Sequence, residues 1–164
     1  MSGGTILYSF SGTFAVVKLV NNITWESSVE LSTLLLCLLK ELNLNTLYLD
    51  CSETSYLDST ILGTLVHFKK KSDNENLSIT ISSPSSVCDA LLTDVGLNKV
   101  FKIENNLSPV MEIVNELPLG RKIPPLEIEQ LIKEAHEELM LLNKKNKDMF
   151  SPVVDTFNNQ NLLR

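Results

Sequence analysis

The sequence predicts an α/β fold, in which a mixed β-sheet carries packed helices and is followed by a C-terminal helical extension. Short β-prone runs alternate with segments whose apolar residues recur at helical spacing. The first two runs are joined by a turn too short for a crossover, so they are antiparallel, whereas later runs are joined by helical patterns, as parallel strands require. The predicted element order of the sheet region is ββαβαβαβα.

The first half of the chain contains two strands, a helix, a strand and a second helix. Residues 5–10 and 14–20 are β-prone and flank a short turn with Gly12, which is typical of an antiparallel hairpin. The first helix is predicted from leucines at helical spacing, namely Leu31, Leu34, Leu35, Leu38, Leu39 and Leu42. Residues 46–51 form a short apolar strand. The second helix begins near Ser59 and ends at Lys69-Lys70-Lys71, whose charges complement a helix C-terminus.

The remaining sheet region is predicted as strand, helix, strand and helix. Residues 77–81 alternate as a strand does, and the apolar pattern after Pro84 predicts a third helix that stops at Gly96. Residues 100–103 are a short strand. Ser108 and Pro109 have the residue types of a helix start, so a fourth helix is expected from there to Leu117, carrying Val110, Ile113 and Val114.

A segment rich in proline and glycine divides the chain. We predict a domain over residues 1–117, a linker over 118–125 and a helical extension with a frayed tail over 126–164. Within it, Ser151 and Pro152 are expected to begin a last short helix. The apolar stripe of the extension is formed by Ile128, Leu131, Ile132, Ala135, Leu139 and Leu142. Such a stripe needs burial, so it folds back on the domain, forms a homodimer or accepts a partner helix.

Composition excludes several classes of function. The 164 residues carry a net charge of -6, which argues against nucleic-acid or anionic-membrane surfaces, since both need clustered basic residues. The most apolar run, residues 34–39, is far shorter than the roughly 20 residues that cross a bilayer, and no signal peptide is evident. We expect a soluble, cytoplasmic protein. Three cysteines without CxxC spacing indicate neither a disulfide scaffold nor a zinc site. No cofactor is predicted for this chain.

Arrangements typical of catalysis are missing from the sequence. It contains no phosphate-loop, dinucleotide or nucleophile-elbow motif. On one helix Ser59 and His67 would be separated by about 12 Å, too far for a nucleophile–base hydrogen bond, so His67 is interpreted as a helix-face residue. His136 is expected among glutamates on the exposed face of the C-terminal helix. We therefore predict that the protein is not an enzyme.

One stretch carries a recognisable signature. A strand ending LDCS (residues 49–52) is followed by YLDSTILG (residues 56–63), and VGLNKVF stands at residues 95–101. These segments and the element order resemble the STAS domain, the anti-sigma factor antagonist family, over about residues 5–117. Asp58, Ser59, Thr60, Leu62 and Gly63 match the family's Asp-Ser-[Ser/Thr]-Gly-Leu-Gly segment, whereas Ile61 replaces its usual glycine. The fold expected from the resemblance is the STAS fold.

The resemblance implies a binding switch without catalysis. It makes Ser59 the serine phosphorylated by a partner kinase, with Thr60 as the fallback, and places partner binding on Asp58, Ser59, Thr60, Ile61 and Leu62. The implied partners are a serine-kinase anti-sigma factor or similar regulator, which binds the unphosphorylated protein, and a serine phosphatase that resets it. The alternative is a structural or scaffold STAS module whose C-terminal helices drive assembly. In that case Ser59 is only a helix cap.

Overall fold

The computed structural model describes residues 3–41, 43–112 and 114–162. Leu42 and Ile113, which the sequence analysis placed on helices, lie outside these ranges. The described chain contains a mixed sheet of seven strands, whose order is β6-β5-β3-β2-β1-β7 with β4 paired to β2. The strands are β1 (Thr5–Ser11), β2 (Phe14–Ile23), β3 (Thr46–Asp50), β4 (Thr54–Leu57), β5 (Ser78–Ser82), β6 (Lys102–Glu104) and β7 (Asn115–Glu116).

The sheet has an antiparallel side and a parallel side. The strands β1 and β2 form the predicted antiparallel hairpin, and Gly12 at its turn adopts a φ of 58°, a left-handed value that suits glycine. The strands β2, β3, β5 and β6 pair in parallel. Their connections run through helices, as the geometry of parallel pairing requires. The predicted fold class, a mixed sheet with helices packed on it, is confirmed.

Five α-helices accompany the sheet in the described chain. They are α1 (Ser28–Glu41), α2 (Ser59–Asp73), α3 (Ser86–Asp94), α4 (Pro125–Met140) and α5 (Lys144–Leu162). The end of α3 follows the prediction, because Gly96 stands two residues beyond its last residue with a φ of 84°. Apolar faces of α1 and α2 meet the sheet in an aliphatic core whose fully buried members include Leu19, Leu31, Leu35, Leu49 and Leu65.

The fourth helix predicted from Ser108 to Leu117 is wrong. The described residues of this segment are irregular and end in β7, which pairs antiparallel with β1. The Ser108 hydroxyl does not cap a helix but donates to the Asp50 carboxylate at 2.7 Å. Beyond β7 the Leu117 N–H donates to the Ile6 carbonyl at 2.8 Å. Pairing satisfies backbone groups of an otherwise open strand edge, and that gain outweighs a local helical preference.

The C-terminal extension is a pair of helices packed together, and the first of them, α4, also packs against α2. The last helix differs from the prediction, because α5 is continuous from Lys144 and carries Pro152 in its interior rather than beginning there. It also continues through residues 158–162, which were expected to fray. Within the residues that the structure describes, no helix combines the length and apolar character needed to cross a membrane.

Candidate functional site

The motif identified in the sequence lies at the junction between β4 and α2. β4 ends at Leu57 and α2 begins at Ser59, so Asp58 occupies the N-cap position with extended backbone angles. Its Oδ1 accepts from the Ile61 N–H at 2.9 Å, and its Oδ2 accepts from the Trp25 N–H at 2.7 Å. One carboxylate therefore satisfies an orphan N–H of α2 and also fixes the chain that enters α1.

Ser59 is the first residue of α2, and its hydroxyl contacts a histidine from the extension. The Ser59 Oγ lies 2.8 Å from the Nε2 of His136 on α4, while the His136 Nδ1 lies 2.7 Å from the Ile132 carbonyl. A carbonyl oxygen only accepts, so Nδ1 carries hydrogen, and in the neutral ring Nε2 accepts from the Ser59 hydroxyl. The expectation that His136 occupies an exposed face is wrong, since only 5% of it is exposed.

Gly63 allows α4 to approach α2 at backbone distance. A Cβ atom placed on Gly63 would lie 2.0 Å from the carbonyl oxygen of Ala135. Ser59 and Gly63 are four residues apart and share one face of α2, so this backbone contact lies one turn beyond the Ser59–His136 hydrogen bond. The glycine of the sequence motif thus provides the space in which the extension packs.

A carboxylate of α4 completes the contact further along α2. Glu138 accepts from Lys70 and lies 3.1 Å from the Nδ1 of His67. Burial by itself would raise the pKa of Glu138, but hydrogen bonds from Lys70 and His67 outweigh burial and lower that pKa. We define the α2–α4 contact by the residues that carry it: Ser59, Gly63, His67 and Lys70 on α2, with Ala135, His136 and Glu138 on α4.

The far end of α4 is anchored by an asparagine that is fully buried. Asn146 on α5 donates from Nδ2 to the Leu139 carbonyl at 2.9 Å and to the Val95 carbonyl at 2.8 Å. The Phe150 ring meets the His136 ring edge-on with 5.2 Å between centroids. These contacts connect the end of α4 to the end of α3 and hold the His136 ring in place.

The structure places the five predicted site residues in two environments. Asp58 and Ser59 are half-buried, whereas Thr60, Ile61 and Leu62 are buried, with at most 4% of each exposed. Two large aromatic side chains near Asp58 are exposed instead: 43% of Trp25 and 46% of Tyr56 face solvent. Sequence reasoning did not identify these aromatics or His136, because the backbone hydrogen bond at Trp25 and the distant α4 contact leave no local motif.

A second aspartate of the motif supports the loops beside the site. Asp50, at the end of β3, accepts from the Ser52 N–H and hydroxyl and from the Ser108 hydroxyl. Burial tends to raise the pKa of Asp50, but these hydrogen bonds and the nearby Lys18 charge produce a net lowering. Among the described residues, no cluster of three or more His, Cys, Asp or Glu side chains is arranged to hold a metal ion.

Comparison with known proteins agrees with this geometry. The family model of the STAS domain matches residues 6–109, which is more than half of the chain. The chain belongs to the STAS domain family. The match covers the strands from β1 to β6 together with α1, α2 and α3, and it ends before β7, α4 and α5 begin. A comparison with curated protein sequences finds no match.

Three solved structures share this STAS fold at low sequence identity. A Thermotoga maritima protein assigned as an anti-sigma factor antagonist has 17% identity and a TM-score of 0.54, covering 61% of this chain and 86% of that one. The antagonist SpoIIAA in its unphosphorylated form has 10% identity and a TM-score of 0.52, covering 63% and 89%. An anti-sigma factor antagonist from Mycobacterium paratuberculosis has 19% identity and a TM-score of 0.53, covering 64% and 88%.

Proposed function

We propose that this STAS protein is an anti-sigma factor antagonist in a cytoplasmic partner-switching pathway. Unphosphorylated, it binds a serine-kinase anti-sigma factor or a similar regulator and frees that regulator's target. Phosphorylation of Ser59 by the kinase releases the protein, and a serine phosphatase resets it. The chain performs no chemistry itself in this scheme, since ATP and its magnesium belong to the kinase.

The observation that carries this proposal is the position of Ser59. Its hydroxyl stands at the first residue of α2, directly after the Asp58 cap. A helix N-terminus presents free N–H groups and the positive end of the helix dipole, so it tolerates the charge of about -1.5 to -2 that a phosphate adds. Phosphorylation can therefore change the surface at Ser59 without unfolding the STAS domain.

The exposed aromatics beside the site support a protein partner. The backbone N–H of Trp25 donates to the Asp58 carboxylate, and Tyr56 stands two residues before Asp58, near the end of β4. Exposed tryptophan and tyrosine side chains are typical anchors of protein interfaces, because they bury a large area at a small cost in side-chain entropy. A partner seated on these rings would lie next to Ser59, where an added phosphate would disturb the contact.

One observation favours the alternative of a structural module. The Ser59 hydroxyl already has a structural partner in His136, and α4 covers its side of α2. The alternative took Ser59 as only a helix cap, but Asp58 occupies the cap position and Ser59 follows it. In this alternative the Ser59–His136 hydrogen bond serves only to hold the extension, and the extension drives assembly with other proteins or a second copy. The switch predicts that phosphate on Ser59 weakens binding of the kinase, whereas the structural module predicts no difference.

The test compares partner binding with and without phosphate on Ser59. Mass spectrometry of protein purified from its own cell establishes whether Ser59 is phosphorylated, and the kinase is captured with unphosphorylated bait. We expect Ser59→Ala to bind the kinase persistently, and authentic phosphoprotein to bind more weakly because charge and bulk oppose the interface. Phosphoserine at exposed Ser86 is the control and should leave binding unchanged. Equal affinities for phosphorylated and unphosphorylated Ser59 would contradict the switch.

A further inference from the structure

The extension contacts the Ser59 hydroxyl and restricts access to it. The α4 helix contributes the side chain that contacts the Ser59 hydroxyl, and Gly63 brings the two helices to backbone contact one turn away. A kinase must reach the Ser59 hydroxyl with its own acceptor group and a phosphate donor. That approach competes with His136, whose ring is almost entirely buried over the same hydroxyl.

We infer that α4 is a reversible cover of Ser59, which docks on α2 when the serine is unmodified and is expelled when the serine carries a phosphate. This inference rests on the proposed function only in taking Ser59 as the phosphorylated residue. It assigns a role to the extension, which lies outside the family match. The α2–α4 contact is then a two-state element of the switch.

Space is the first reason why phosphate and the docked helix exclude each other. The Ser59 Oγ and the His136 Nε2 are 2.8 Å apart, which leaves no room for a phosphorus atom and three oxygens between them. The two helices also cannot pivot to open a gap at Ser59 by moving closer together at Gly63, because Gly63 and the Ala135 backbone are already in contact. A packed contact of this kind separates rather than deforms continuously.

Hydrogen-bond chemistry is the second reason. In the neutral ring the His136 Nε2 is an acceptor and needs the Ser59 hydroxyl as its donor. Phosphorylation replaces that hydroxyl hydrogen with a group of acceptor oxygens, so two acceptors would face each other in a partly buried position.

The release exposes a surface that the unphosphorylated protein hides. When α4 leaves, Gly63, His67 and Lys70 lose their partners on Ala135 and Glu138 and face solvent. The phosphorylated protein therefore differs from the unphosphorylated one along a whole face of α2. A partner that distinguishes the two states can read that face as well as the phosphate.

Amide hydrogen exchange on the full chain tests the inference without a kinase or partner. Phosphoserine is installed at position 59 during synthesis, and exchange of residues 126–140 is compared with the unmodified protein. We expect exchange in α4 to accelerate by about tenfold or more, since losing a buried hydrogen bond already shifts an equilibrium by that order. Exchange in α1 and the central strands should stay unchanged, which shows that the domain remains folded.

Phosphoserine at position 86 is the matched control. Ser86 is the first residue of α3 and follows a side-chain cap at Ser85, as Ser59 follows Asp58 on α2, but Ser86 is exposed. It adds the same charge at the same helix position and should leave exchange in α4 unchanged. Unchanged or slower exchange of α4 with phosphoserine 59, as a histidinium–phosphate pair would cause, overturns the inference. Because no partner takes part, this failure is distinct from failure of the proposed switch in binding.

Discussion

Two helix N-termini in this protein begin with the same local chemistry and have different surroundings. On α2, Asp58 caps the helix by accepting from the Ile61 N–H, and Ser59 follows. On α3, Ser85 caps the helix by accepting from the Cys88 N–H, and Ser86 follows. Ser86 is exposed, whereas Ser59 lies beneath α4 and contacts His136.

The difference shows where site specificity comes from. A serine that follows a capping residue is common at helix starts, where the cap satisfies backbone donors. On α3 the serine in this position, Ser86, is exposed, and its hydroxyl makes no hydrogen bond within the described residues. Ser59 differs from Ser86 in its tertiary contacts. Gly63, one turn later, allows α4 to approach α2, and α4 brings His136 to the Ser59 hydroxyl. Three sets of substitutions test this comparison, and they are ordered by expected effect.

Gly63→Ala should break the comparison by pushing α4 away from α2. Alanine at a helix interior normally gains about 0.5–1 kcal/mol over glycine. Here its Cβ would meet backbone atoms of Ala135 at 2.0 Å, so overpacking of about 1–3 kcal/mol outweighs that gain. Denaturant unfolding measures the net loss of unfolding free energy, and hydrogen exchange should show that this loss is concentrated in α4.

The control is Gly3→Ala, which has open space around its Cβ and should leave the unfolding free energy unchanged. A Gly63→Ala protein more stable than the parent would show that α4 does not need this space.

Replacing the two caps sharpens the comparison. Asp58 accepts from two backbone N–H groups, those of Ile61 and Trp25, whereas Ser85 accepts from Cys88 alone and donates to the Thr54 carbonyl. We expect Asp58→Ala to cost about 1–2 kcal/mol of unfolding free energy and Ser85→Ala about 1 kcal/mol. Asp58→Ala should also slow phosphorylation of Ser59 if the family role carries over. Thermal and denaturant unfolding of both variants settle the order; equal losses would mean that the Trp25 contact of Asp58 contributes no more than the Thr54 contact of Ser85.

Acid should weaken the α2–α4 contact through Glu138 and leave the α3 terminus unaffected. The folded pKa of Glu138 is held below its ordinary value of 4.5, because hydrogen bonds from Lys70 and His67 outweigh burial. A lowered pKa means that its stabilising contribution is complete above pH 4.5 and is lost as the pH falls through the folded value. Exchange in α4 should therefore accelerate on acidification, and Glu138→Gln should reduce this pH dependence. Exposed Glu137→Gln is the control; identical pH profiles for Glu138→Gln and the parent would refute the assignment.

Local sequence patterns predicted most of the sheet region, because its turns and helix ends are determined by residues close in sequence. The hairpin around Gly12, the capped start of α2 and the end of α3 at Gly96 each depend on residues close in sequence. Elements that depend on a distant partner were missed. The β4 strand buries only its two end residues, Thr54 and Leu57, so its pattern does not resemble a strand. β7 exists because the edge of β1 needs a partner, and no local pattern around Asn115 indicates this.

The same distinction explains what was predicted of the site. Asp58 and Ser59 were found from a contiguous motif, which reflects their role at a helix start. His136 was assigned to the exposed face because its neighbours Glu134 and Glu137 are charged and exposed. Its burial depends on the approach that Gly63 permits from another helix, 73 residues earlier in the chain. A helical pattern alone cannot show which face meets a second helix when the apolar stripe borders a polar residue.

The segment that joins β7 to α4 determines how strongly a partner must bind α2 in order to compete with α4. Residues 117–124 connect the two elements, and the Arg121 N–H in this segment donates to Glu30 of α1 at 3.2 Å. A released α4 therefore stays tethered close to its docking face, at an effective concentration on the order of millimolar for a short linker. Redocking is then a unimolecular step that does not depend on how much of the protein a cell contains. A binding partner of α2 must overcome that fixed local concentration, whereas phosphate on Ser59 acts from within the same chain.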